Sequence, residues 1–125
     1  MAFLSDRVLD LGLNVLDTEA THIYLCSAEP ADFTAATTTV ALGNKNFGAG
    51  NAFTAPADGT PNGRKVSSVA ITDGSITATG TATHYAVVDS INSRLLAHNT
   101  LATPKLFTSG NQFGMPPFDI TFPDA

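Results

Sequence analysis

Tryptophan is absent, cysteine occurs once, and lysine and arginine together number six in 125 residues. Each scarcity excludes something. The lone Cys26 can form neither an intramolecular disulfide nor a thiolate cluster, so stability has to come from packing or from association with other chains. Six scattered cations against eleven acids, a formal net charge of −5, cannot build the basic stripe from which nucleic-acid proteins draw most of their affinity. No apolar run approaches the roughly 18 residues needed to span a bilayer. Asp6 and Arg7 follow Phe3 and Leu4 too closely for a secretory signal, so the expectation is a soluble protein made in the cytoplasm.

What is there points to β structure. Charged residues make up 14% of the chain and hydrophobic ones 43%, and Thr, Ala, Ser and Asn fill much of the rest, a composition that suits a solvated sheet surface better than a helical one. The length fits one domain, residues 1–125, with a core of its own.

One helix is expected, over residues 5–16. Ser5 can cap it, and Leu4, Val8, Leu11 and Val15 recur at four-, three- and four-residue steps, with Leu9, Leu13 and Leu16 widening the stripe. Gly12 costs the helix about 1 kcal/mol relative to Ala, which makes docking its main support. From Thr21 to Ser27 β-branched and aromatic residues give a first strand, closed by Glu29 and Pro30. Residues 34–42 carry no clear period. Residues 43–63 are rich in Gly, Asn and Pro and read as a long loop or interface arm, because such connections are uncommon inside compact domains and this one holds Phe47 and Phe53.

Past Arg64 and Lys65, which read as the basic start of a strand, Asp73-Gly74 lies between two β-like runs, 66–72 and 75–79. That dipeptide predicts a hairpin with a tight primed turn. Another strand follows over 83–89, a turn at Ile91, Asn92 and Ser93, and a return beginning at Arg94 that Pro104 should break. A hairpin around Ser109, Gly110 and Asn111 and a last strand over 118–122 complete the pattern. Six to eight antiparallel strands with short turns make the chain mainly β, an antiparallel β-sandwich with one N-terminal α-helix packed on it.

The histidines invite a catalytic or metal reading, since Ala20-Thr21-His22 and Ala82-Thr83-His84 both head apolar runs. His22 and Cys26 lie four residues apart on one strand, about 13 Å, too far to share an ion. A nucleophile elbow is absent, and Gly63-Arg64-Lys65 lacks the spacing of a phosphate loop. Glu19, Asp32, Asp58, Asp73 and Asp89 sit where turns or element ends place carboxylates. The expectation is no catalytic residue, no metal, no cofactor and no small-molecule substrate.

The opening Met1-Ala2-Phe3-Leu4-Ser5-Asp6-Arg7-Val8-Leu9-Asp10, the Cys26-Ser27-Ala28-Glu29-Pro30 turn, Leu42-Gly43-Asn44-Lys45, Asn62-Gly63-Arg64-Lys65-Val66, Asp73-Gly74-Ser75, Ala82-Thr83-His84 and Phe118-Asp119-Ile120 together span most of the chain. In these segments it resembles small structural proteins of tailed bacteriophages. The resemblance implies a virion component and carries over no functional residue. Of the roles open to such a protein, the small acidic single domain favours a capsid decoration, or cement, protein on the outer capsid surface. Its partners would be the major capsid protein and further copies of itself, as a homotrimer, with no nucleic acid and no membrane. A tail- or fibre-associated adsorption module is the alternative, and a small enzyme the third. The candidate interface is Phe47, Phe53, Arg64 and Lys65.

Overall fold

A computed structural model describes residues 6–58 and 63–122. The chain is mainly β, in antiparallel sheets, with one N-terminal helix. Helix α1 spans Asp6–Glu19, and the strands are β1 His22–Cys26, β2 Ala41–Asn46, β3 Ala57–Asp58, β4 Arg64–Ser67, β5 Ile71–Ile76, β6 Gly80–Asp89, β7 Arg94–Phe107, β8 Gln112–Met115 and β9 Asp119–Phe122. A six-stranded sheet has the order β7-β6-β1-β2-β5-β8, and a three-stranded sheet the order β3-β4-β9. The two sheets enclose the main core in a sandwich-like arrangement. Among the described residues no helix is long and apolar enough to cross a membrane.

Alternation along β1 sets the layers. Ile23 and Leu25 point into the main core with Phe53, Val66, Val87 and Phe113. Cys26 faces the other way, into a smaller cluster with Ala36, Ala86 and Val88, half-covered by Tyr24, Phe33 and Leu95. That outer cluster exists because residues 27–40 fold back across the sheet, and β6 is therefore buried on both faces from Tyr85 to Asp89. The segment left without a period in the sequence, 34–42, contains a π-helical turn, Ala35–Thr39, closed by the Val40 amide donating to the Ala35 carbonyl at 3.0 Å. Asp32 starts it by accepting from the Ala35 amide at 2.8 Å.

The helix runs three residues beyond its expected end, and its expected cap Ser5 lies outside the described residues. Of the expected stripe, Leu13 and Leu16 are buried and Val15 is half-buried, while the side chains of Leu4, Val8, Leu9 and Leu11 lie outside the described residues. Leu13 and Leu16 join the same core as Val66, so β4 decides which face turns inward, and burial of those two leucines contributes about 1.5–3 kcal/mol each.

The expected Asp73-Gly74 hairpin does not form. Both residues lie inside β5, which pairs with β2 and β8 and not with β4. Gly74 does not have the positive φ that a primed turn requires. Its missing side chain serves packing instead, since a Cβ there would come within 2.3 Å of the Phe113 ring. Nor does Pro104 break its strand. Between the pairs His84–Thr100 and Ala82–Lys105 the chain advances five residues on β7 against two on β6, a bulge that holds Pro104. As an edge strand β7 needs donors on one side only. The expected hairpin at 109–111 keeps its turn and loses its pairing: β8 bonds to β5, and the loop is held by the Gly110 amide on the Ile76 carbonyl at 2.9 Å. The final strand, β9, pairs with β4.

Candidate functional site

Three of the four expected interface residues are engaged within the fold, and the fourth is half-covered. Phe53 is 3% exposed, its ring edge-on to Phe118 at 6.0 Å. The backbone around it runs alongside the residues that follow β4, with Phe53 bridged to Ser68, the Thr54 amide on the Ser67 carbonyl at 2.9 Å and the Val69 amide on the Ala52 carbonyl at 2.9 Å. Phe47 is half-buried against the same core, its amide donating to the Thr21 carbonyl at 2.8 Å. The stretch 43–63, expected as a long loop or interface arm, is in part strand. Residues 43–46 belong to β2, Gly48 and Gly50 turn the chain with positive φ, Phe53 anchors it to the core, and Ala57–Asp58 forms β3. Residues 59–62 lie outside the described residues. The two phenylalanines find their burial inside this chain, which removes the reason to assign them to a partner.

Arg64 begins β4, as the basic pair led one to expect, and its Nη1 meets Asp58 Oδ1 at 2.6 Å across the β3–β4 pairing. Lys65 Nζ lies 3.3 Å from Asp119 Oδ2, while Ser67 Oγ donates to Asp119 Oδ1 at 2.6 Å. These contacts tie the small sheet together and neutralise its charges.

The two Ala-Thr-His triplets prove to be a structural repeat. In each the alanine is fully buried and the threonine hydroxyl contacts the following histidine's Nδ1, at 2.9 Å for Thr21–His22 and 2.8 Å for Thr83–His84. Because β1 and β6 run antiparallel, with His22 opposite Val88 and Cys26 opposite His84, the imidazoles stand about four residues, roughly 13 Å, apart on the outer face. His98 pairs with Ala86, and its Nε2 lies 3.8 Å from Glu29. Burial holds His22 below the ordinary imidazole range and pushes the Cys26 thiol up to about 11. Among the described residues no group of three His, Cys, Asp or Glu side chains is placed to hold a metal ion.

Asp89 is 2% exposed and organises the β6–β7 turn. Its Oδ1 accepts from the amides of Ile91 at 3.0 Å and Asn92 at 3.2 Å, and its Oδ2 accepts from Asn92 Nδ2 at 2.8 Å. These hydrogen bonds, the Asn92 side chain's first, hold its carboxyl below the usual range. The Ser90 amide donates to Thr21 Oγ1 at 2.9 Å, and Ser93 completes the turn with φ 56°. The turn is thus rigid, and it carries Ile91 73% exposed.

No motif or periodicity in the chain signals the cleft. A cavity of about 440 Å³ opens between β7 and the segment joining β8 to β9, floored by Leu25 and Tyr85 and walled by Leu101, Phe107, Met115 and Phe118. The aromatic rings hold its shape: Tyr85 and Phe118 lie 4.4 Å apart and Phe107 and Phe113 6.3 Å apart. Burial pushes the Tyr85 phenol above its ordinary range, against a hydrogen bond from Asn99 that pulls it the other way. Lys105 reaches over the Phe107 ring at 5.3 Å, at the mouth. The chain matches no protein-family model, and comparison with curated proteins and with solved structures likewise returns no match.

Proposed function

We propose that this chain is a structural protein of a bacteriophage virion, a decoration protein bound as a homotrimer to the outer capsid surface, where it clamps neighbouring subunits of the major capsid protein. The observation that carries this reading is the use of its polar side chains. Asp58, Asp73, Asp89 and Asp119, with Lys45, Arg64 and Lys65, join strands or brace turns within the fold. Beside its exposed polar residues the surface also presents apolar features: the cleft beside β7, and the exposed Val69, Ile91 and Leu106. Such features suit association. The bacteriophage resemblance of segments that form turns and strands supports the same conclusion.

A clamp stabilises a shell by binding the assembled lattice better than its free subunits. Particles lacking the protein should therefore assemble and then lose their DNA sooner on heating, and added purified protein should restore their lifetime. Unchanged heat resistance without the protein would overturn the assignment. The projecting β6–β7 turn favours the second reading, a tail-associated module, and binding to host cells but not to heads would establish it.

A further inference from the structure

The cleft is bounded by two sheet edges, β7 and β8, which makes an added strand the first occupant to consider. Three prolines exclude it. Pro104 on β7 and Pro116 and Pro117 after β8 offer no N–H to an added strand, and the bulge ahead of Lys105 interrupts the regular spacing of donors and acceptors along the edge. An apolar side chain presented by a turn meets none of these obstacles. Among the described residues, the large hydrophobic side chains that stand exposed are Val69, Ile91 and Leu106. Leu106 belongs to β7 itself, and Val69 follows β4 with its amide bonded to Ala52. Ile91 alone of these sits on a projecting hairpin turn.

We propose that Ile91 of one copy inserts into the β7–β8 cleft of a second copy, a head-to-tail contact that builds the oligomer. Its own cleft is out of reach, because the turn lies at one end of β7 and the cleft lining begins at Asn99, about five residues or roughly 17 Å along the strand from Arg94, well beyond the length of an isoleucine side chain. The 440 Å³ cavity has room for the isoleucine side chain, and its apolar floor and walls match it. Charge agrees. Two cations stand at the cleft, Lys105 in its lining and Lys65 3.3 Å from the one lining carboxylate, Asp119, while the helix end beside the turn carries Asp17 and Glu19, with one cation, Arg94, 3.3 Å from Glu19. The Asp89 hydrogen bonds hold the turn in place before contact, so little freedom is lost when it docks. Unlike a two-fold contact, this one leaves each copy with a free turn at one side and a free cleft at the other, and it closes into a ring where the rotation permits.

The contact deepens the assembly reading and rests on it. It is nevertheless measured on the purified protein without particles, so its failure would leave the particle experiments standing. Sedimentation of the purified chain from micromolar to millimolar concentration should show concentration-dependent oligomers. Ile91→Ser should weaken association at least tenfold with an unchanged melting curve, Ile91→Leu should keep it, and Thr103→Trp, which fills the cleft, should abolish it. A diazirine photo-leucine at position 91, close to isoleucine in size, should crosslink to the cleft lining of another copy, residues 99–107 or 114–119. A wild-type chain that stays monomeric throughout, association indifferent to Ile91→Ser, or crosslinks to any other segment would each overturn the proposal.

Discussion

Replacing Phe53 by alanine separates a core residue from an interface anchor. The ring is 3% exposed and lies edge-on to Phe118, which in turn packs against Tyr85 at 4.4 Å, so its removal opens a void between the two sheets that neighbours cannot easily fill. Truncations of this kind cost about 3–5 kcal/mol, including roughly 0.5–1.5 kcal/mol for the aromatic pair itself. Native domains hold only about 5–15 kcal/mol in all, so Phe53→Ala should remove roughly a fifth or more of the stability. Urea unfolding followed by circular dichroism should show a midpoint lower by on the order of 2 M, given a slope of about 1–3 kcal/mol per molar for a domain of this size. Phe47→Ala, at a half-buried position, should cost visibly less. A Phe53→Ala protein that keeps its midpoint within about 0.5 M of the wild type and loses only its capacity to assemble would refute the burial argument and restore the interface arm.

Gly74→Ala should destabilise by about 1–3 kcal/mol through its clash with the Phe113 ring, and Phe113→Leu in the same chain should return part of that loss; strictly additive losses in a double-mutant cycle would contradict the packing account. Acid should weaken the fold, because Asn92 holds the Asp89 carboxyl low, Lys45 that of Asp73 and Ser67 that of Asp119. A lowered folded-state pKa contributes stability that is complete above the unfolded value near 4 and is lost as pH falls through the folded value, so the urea midpoint should drop between about pH 5 and 3. Asp89→Asn should flatten that drop, and a midpoint constant over the interval would count against these hydrogen bonds as the cause. Cys26, fully buried with its thiol pushed up to about 11, should react with a disulfide reagent at pH 8 only as fast as the protein unfolds, whereas immediate reaction would mean that the outer cluster is open.

The elements legible in the sequence were those whose signal is local and unopposed. Thr21–Ser27 and Thr83–Asp89 alternate or run apolar because both faces of β1 and β6 are covered, and Ile91, Asn92 and Ser93 form a turn that their neighbour Asp89 itself braces. Asp73-Gly74 failed as a turn because the need of Phe113 for space outweighs a local preference of about 1 kcal/mol. Pro104 failed as a breaker because its consequence depends on whether the strand is at an edge, a fact of topology. Phe53 was assigned to a partner because nothing in residues 43–63 shows that they return along the chain beyond β4. The cleft joins Leu25 and Tyr85 to residues from 99 to 119, so no window of the sequence contains it.

A reconstruction of the complete virion that traces side chains decides between head and tail. Density for this chain is expected on the outer face of the head, as rings of copies over sites where three capsid subunits meet, with the β6–β7 turn of each copy against the β7–β8 cleft of the next. Density for the chain on the tail alone, or a purified virion that does not contain it, would contradict the account.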